Sequence, residues 1–121
     1  MRLGIAQTDP TFGDREANLE AALGALASET ADLWILPEFF ATGYQFTSRD
    51  EVAGLAEPIP DGPTTEALTR FCHEHRCYLV AGLPEAADRV VYNAAVLVGP
   101  EGYVSCYRKI HLFGEEKVFF A

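Results

Sequence analysis

Apolar residues recur along this chain at two spacings, and the alternation between them predicts its elements. Residues 3–8 read as a first strand, ended by a turn around Pro10 and Gly13. Leu19, Ala22, Leu23 and Leu26 fall at i, i+3, i+4 and i+7, the apolar stripe of an amphipathic helix, with Asp14 placed to cap it. Residues 33–36 are four apolar residues in a row, which leaves no solvent face and predicts a short buried strand. Residues 41–60 carry Gly43, Gly54, Pro58 and Pro60 and read as irregular, with a short helix from Ser48. A second helix starts near Pro63, a residue suited to the first helical position, and turns Leu68, Phe71, Cys72 and His75 inward. Residues 77–83, 90–98 and 103–109 read as three further strands, the last two joined by the turn Pro100-Glu101-Gly102.

The order β-α-β-loop-α-β-β-β predicts an α/β layer fold, a mixed sheet with both helices on one face. Alternation then sets a problem. Residues 90–98 are apolar on both faces apart from Asn93, yet successive side chains point to opposite sides of a sheet. Something must cover the second face, and a second sheet from further chain or a partner would do so.

At 121 residues, with 49% hydrophobic and 22% charged positions, the chain has the size and balance of one globular domain. Lys and Arg number 9 against 18 Asp and Glu, a formal charge of -9 that repels phosphate backbones and anionic lipid. Nucleic acid and membrane surfaces are therefore not expected partners. No apolar run approaches a membrane span, and the N-terminus reaches Gln7 and Thr8 too soon for a signal-peptide core. A cytoplasmic location is expected. Cys72, Cys77 and Cys106 form no C-x-x-C pair and read as reduced thiols. Cys72, His73 and His75 do not converge on one helix face, so no metal site is expected.

Two charged residues stand out by position. Glu38 directly follows the strand at 33–36, and Lys109 ends the strand at 103–109. Ligand crevices of open α/β sheets lie at strand ends, so a carboxylate and an ammonium delivered there can meet in one pocket. Taken singly, each has an ordinary explanation: a solvated loop charge for Glu38, protection of an exposed edge for Lys109. His111 reads as a packed or surface residue.

Their surroundings make the pair more than ordinary. Leu36-Pro37-Glu38-Phe39-Phe40-Ala41-Thr42-Gly43-Tyr44 resembles the first catalytic motif of the nitrilase superfamily of carbon–nitrogen hydrolases. Tyr92-Asn93-Ala94-Ala95, then Gly99-Pro100-Glu101-Gly102 and Tyr107-Arg108-Lys109-Ile110-His111-Leu112-Phe113, resemble the second, and Ile5-Ala6-Gln7 is similar to the family's first strand. The resemblance implies an α-β-β-α sandwich, of which residues 1–121 are the N-terminal part. It also implies a Glu–Lys–Cys triad with Glu38 as general base and Lys109 as the cation at the oxyanion, supported by a further glutamate. Glu116 matches that glutamate best and Glu115 is its rival, while Tyr44 falls on the pocket wall as a substrate contact. The nucleophilic cysteine of the family follows the lysine by several tens of residues, beyond Ala121. The three cysteines present read instead as small buried hydrophobes.

The implied activity is hydrolysis of a small linear amide or carbamoyl compound with release of ammonia, without metal or organic cofactor. The context of residues 39–44 resembles the amidase branches, and family members form dimers or larger assemblies, so a homo-oligomer is implied. The alternative, which the missing nucleophile supports, is a noncatalytic α/β fragment or binding module.

Overall fold

In a computed structural model that describes residues 1–121, the elements are β1 (Leu3–Ile5), α1 (Arg15–Ala27), β2 (Leu33–Ile35), α2 (Arg49–Leu55), α3 (Pro63–His75), β3 (Tyr78–Ala87), β4 (Val90–Gly99), β5 (Gly102–Arg108) and α4 (Glu116–Phe119). The strands lie across one five-stranded sheet in sequence order. β1, β2 and β3 are parallel, and β4 and β5 continue the sheet as antiparallel hairpin strands. Both parallel steps advance in the same direction, and right-handed crossovers then put their helices on the same face. Accordingly Ala22 and Leu26 of α1 and Leu68, Phe71 and Cys72 of α3 share one core with Trp34, Leu79, Ala81, Leu83, Val96 and Val98.

Local chemistry fixes the helix starts. The Asp14 carboxylate accepts from Ala17 N–H, the Ser48 hydroxyl accepts from Glu51 N–H, and Pro63 occupies the first turn of α3. The cap residue of α3 is Gly62, which has no side chain to offer. Its place is taken by Glu57, a buried carboxylate that accepts from Thr64 N–H at 2.7 Å and from the Thr64 hydroxyl, with Arg15 at 3.6 Å. An anion at a helix N-terminus meets the positive end of the dipole and is tolerated in the interior because it is fully bonded.

Three elements differ from the sequence expectation. β1 stops at Ile5 rather than residue 8, because its only partner is the three-residue β2. β3 runs on to Ala87, through Pro84. That proline costs no ladder bond with β4, since its backbone faces the other way, where Pro84 O accepts from Glu57 N–H at 3.1 Å. The hairpin to β4 turns on Asp88 and Arg89, with φ of 53° and 67°, a left-handed two-residue turn made without the Asn-Gly signal that usually marks one. The third is α4, four residues long and too short to show a period.

Alternation sends the other half of each strand to the second face. Leu3, Ile5, Leu33, Ile35, Tyr78, Val80, Leu97 and Tyr107 line it in register. Ile5 is 72% exposed and Tyr107 59%, so this face is open where the helix face is closed.

Candidate active site

Glu38 owes its position to β3. After β2 the chain keeps following β3: Leu36 N–H donates to Val80 O at 2.9 Å, and Gly82 N–H donates to Pro37 O at 3.2 Å. A Cβ at position 82 would lie 2.6 Å from the Cα of Glu38, so only glycine lets the Glu38 segment cross the strand this closely. Phe39 then turns the chain with a φ of 51°, a costly backbone for a residue with a bulky side chain. Its ring is held by stacking on Phe120 at 5.2 Å and by an edge contact with Phe46 at 5.7 Å. Phe120 is the residue that ends α4, so one aromatic cluster locates both the Glu38 turn and the helix that carries Glu116.

Lys109 is the first residue past β5, and its N–H donates to Asn93 O at 2.8 Å. Arg108 clamps the strand end from the helix side, with Nε and Nη2 at 2.6 and 2.9 Å from the Glu85 carboxylate and its guanidinium 3.9 Å above the Tyr92 ring. The clamp leaves Lys109 to emerge on the open face, beside Asn93, Ala95 and Tyr107.

There the charged groups converge. Lys109 Nζ lies 3.2 Å from Glu38 Oε1 and 3.0 and 2.9 Å from the two oxygens of Glu116. Asn93 Nδ2 donates to Glu38 Oε1 and to Glu116 Oε1, each at 2.9 Å, and Phe113 N–H donates to Glu116 Oε2 at 2.6 Å. A cavity of about 200 Å³ opens beside them, lined by Val80, Gly82, Asn93, Ala95, Tyr107 and Lys109. A second, of about 310 Å³, lies between Glu38 and an aromatic wall of Phe46, Phe113 and Phe119, with Tyr44, Gln45 and Glu115 at its margin.

Glu38 and Glu116 thus both contact Lys109, and Asn93 donates to each of them. Tyr44 is 71% exposed and meets Glu38 only across the second cavity, and Glu115 lines that cavity without joining the ionic cluster. Asn93 was visible in the sequence as the one polar residue of an apolar strand and within the Tyr92-Asn93-Ala94-Ala95 motif, but neither signal gave it a role. The Glu85–Arg108 clamp left none, because its partners meet across an intervening strand.

The hydrogen bond to Glu116 holds the Lys109 ammonium above its ordinary pKa, with Glu38 adding to the effect against partial desolvation. Burial pushes Glu116 upward, but the Phe113 N–H, the Lys109 ammonium and Asn93 outweigh it and leave the carboxyl below its ordinary value. The stability Glu116 contributes is therefore present above its unfolded pKa, about 4.3, and is lost as pH falls through the lower folded value. The Lys109 contribution is present below about 10.4 and is lost as pH rises through its raised value. For Glu116→Gln, the expected result is a melting temperature below that of the parent at pH 7. The gap should close as pH falls below about 4, and melting curves of both proteins across pH check this. A gap independent of pH would mean that the Glu116 charge contributes nothing.

None of the cysteines faces this site. Cys72, on the inner side of α3, and Cys77, just before β3, are buried in the helix-side core, and Cys106 pairs with Val96 on the same side. Burial raises all three thiol pKa values, the opposite of what an attacking thiolate needs.

A mixed sheet with helices on one face and a Glu–Lys–Glu cluster at the strand ends of the other defines an α/β layer protein with an ionised site on its open side. Residues 2–120 match the model of the carbon-nitrogen hydrolase family, and the chain belongs to that enzyme family, the nitrilase superfamily. It is 40% identical to a nitrilase of Pyrococcus abyssi over 99% of this chain and 47% of that protein. It is 32% identical to an (R)-stereoselective amidase of a Pseudomonas species, over 100% of this chain and 44% of that one. A crystal structure of a CN-hydrolase superfamily protein from Xanthomonas campestris superposes with a TM-score of 0.88 at 26% identity, over 99% of this chain and 45% of that one. The chain spans just under half the length of these relatives. No helix is long and apolar enough to cross a membrane.

Proposed function

We propose that residues 1–121 supply the base and the oxyanion cation of a hydrolase acting on a small linear amide or carbamoyl compound, with the nucleophilic thiol supplied from outside these residues. The observation that carries this reading is the contact of Glu38, Lys109 and Glu116 at the mouth of a cavity. A thiol is mostly protonated at neutral pH, and Glu38 accepts its proton as sulfur adds to the carbonyl carbon. The carbonyl oxygen becomes an oxyanion beside the Lys109 ammonium, which stabilises it more than the starting carbonyl. Glu116 holds that ammonium charged and in place. Glu38 returns the proton to the leaving nitrogen, and ammonia departs from a thioester. Water then gives a proton to Glu38 and adds as hydroxide to the acyl carbon; the carbon–sulfur bond breaks, and the leaving thiolate takes the proton back from Glu38, giving the acid and the thiol. Tyr44 and the aromatic wall border the space for the rest of the substrate. Assembly of the whole protein as a homo-oligomer belongs to the same reading.

Amides are favoured over nitriles by the residues after Glu38, Phe39-Phe40-Ala41-Thr42-Gly43-Tyr44. The test is ammonia release by the intact protein from butyramide, benzamide and N-carbamoylglycine, against butyronitrile and benzonitrile. Release from the amides or the carbamoyl compound, exceeding that from the nitriles, supports the reading. Preference for the nitriles overturns the amide branch. Release from none favours a noncatalytic module, for which the placement of all three cysteines away from the site is the supporting observation.

A further inference from the structure

Asn93 sits in the middle of β4, buried at 3% exposure, and is bonded to every charged member of the site. Its carbonyl accepts the backbone N–H of Lys109, and its amide nitrogen donates to both carboxylates. The orientation of that amide follows from chemistry. Ionised carboxylates only accept, so the nitrogen and not the oxygen of Asn93 must face them. Glu38 Oε1, Asn93 Nδ2, Glu116 Oε1 and Lys109 Nζ therefore close a four-cornered ring of alternating acceptors and donors, with sides of 2.9, 2.9, 3.0 and 3.2 Å.

The two donors of the ring differ in kind. Lys109 ends a flexible four-carbon stem and can follow a carboxylate that swings. Asn93 has a short side chain fixed to a central strand, so it is the rigid corner. Being neutral, it orders two anions without adding a second cation to the site. Both hydrogen bonds that Glu38 accepts land on Oε1, which leaves Oε2 for a substrate or thiol proton.

We propose that Asn93 is a positioning residue for the reaction, holding the Glu38 and Glu116 carboxylates at a set separation around Lys109 so that Glu38 Oε2 is aimed at the proton it accepts. The proposal rests on the hydrolase reading above for its consequence, and on the ring alone for its structural content.

Two readouts keep these apart in the intact protein. The first is the carboxyl titration of Glu116, followed by carbon-13 NMR in the parent, Asn93→Ala and Asn93→Asp. Loss of the donor is expected to move the Glu116 titration upward in Asn93→Ala. The isosteric Asn93→Asp should move it further, because a third acidic group then faces two carboxylates. The second is ammonia release from butyramide, benzamide and N-carbamoylglycine. In Asn93→Ala, kcat is expected to fall by about 10- to 100-fold, the share of the lost bond to the Glu38 carboxylate, with KM changed less than about two-fold. The acid limb of kcat/KM should move to higher pH. Asn93→Ser, which keeps one donor and leaves a smaller void than Ala, is expected to restore part of kcat and covers the case in which Ala does not fold. An unmoved Glu116 titration in the folded variants overturns the ring. A moved titration with unchanged kcat overturns the role in the reaction. If the parent releases no ammonia, the hydrolase reading fails while the titration still decides whether Asn93 orders the carboxylates.

Discussion

Glu38→Gln in the intact protein is expected to lower kcat for amide hydrolysis by about 10²- to 10⁴-fold, the range that a positioned proton acceptor supplies. The substitution keeps the shape and retains a side-chain oxygen able to accept from Asn93 Nδ2 and Lys109 Nζ, so the arrangement at 2.9 and 3.2 Å survives while the base is removed. Folding should be almost untouched. The Glu38 side chain is 46% exposed, and solvent screens an ion pair so placed. The informative measurement is the single-turnover rate of thioester formation beside the melting temperature. A large fall in the first with little change in the second assigns Glu38 to the chemistry, and near-normal turnover would refute that role.

Lys109→Met carries the second large effect, a loss of about 10²–10³ in kcat, as expected when a donor to a developing oxyanion is removed. Methionine keeps most of the apolar stem but leaves Glu38 and Glu116 without a cation between them. The carboxyl of Glu116 then loses the ammonium that helps hold its pKa down, and its titration should move upward together with the loss of rate. Since the ammonium acts only once the carbonyl oxygen gains charge, KM for a neutral amide should change far less than kcat. A variant that loses substrate binding and keeps its turnover number would remove Lys109 from the oxyanion and make it a binding group.

Why Glu38 and Lys109 were legible in the sequence is a matter of strand ends. A charge directly after an apolar run can be placed without knowing the fold, because the run fixes where the strand stops. The second parallel strand and the first helix were legible from local pattern alone, 33–36 as an unbroken apolar run and Leu19 to Leu26 as a helical stripe. Glu116 could be ranked above Glu115 only by motif. In three dimensions the one-residue difference separates a side chain on Lys109 from one on the neighbouring cavity. Gly82, Glu57 and Arg108 were illegible for a different reason. Each acts on a residue far along the chain: Gly82 by leaving room for Glu38, Glu57 by capping a helix from outside it, Arg108 by reaching Glu85 past Tyr92. Local pattern has no access to such contacts. The turn at Asp88 and Arg89 escaped because tertiary pairing of two ten-residue strands outweighed the cost of two left-handed residues lacking glycine.

The single turn of α4 has a consequence for how this site fails. Glu38 and Lys109 are tied to β3 and β4, the strands with the longest ladder in the sheet, and their separation persists until the domain melts. Glu116 rides on four helical residues held by the packing of Phe119 and Phe120, by the bonds from Ala121 N–H to Val91 O and from Arg49 Nε to Val118 O, and by the bonds Glu116 itself accepts. So short a helix has almost no stability of its own, and its opening costs less than global unfolding. The cluster is therefore a two-tier assembly, and residues 113–121 are expected to exchange their amide hydrogens before the sheet does. On warming, Lys109 is expected to lose Glu116, its closer carboxylate partner, while the strands are still paired.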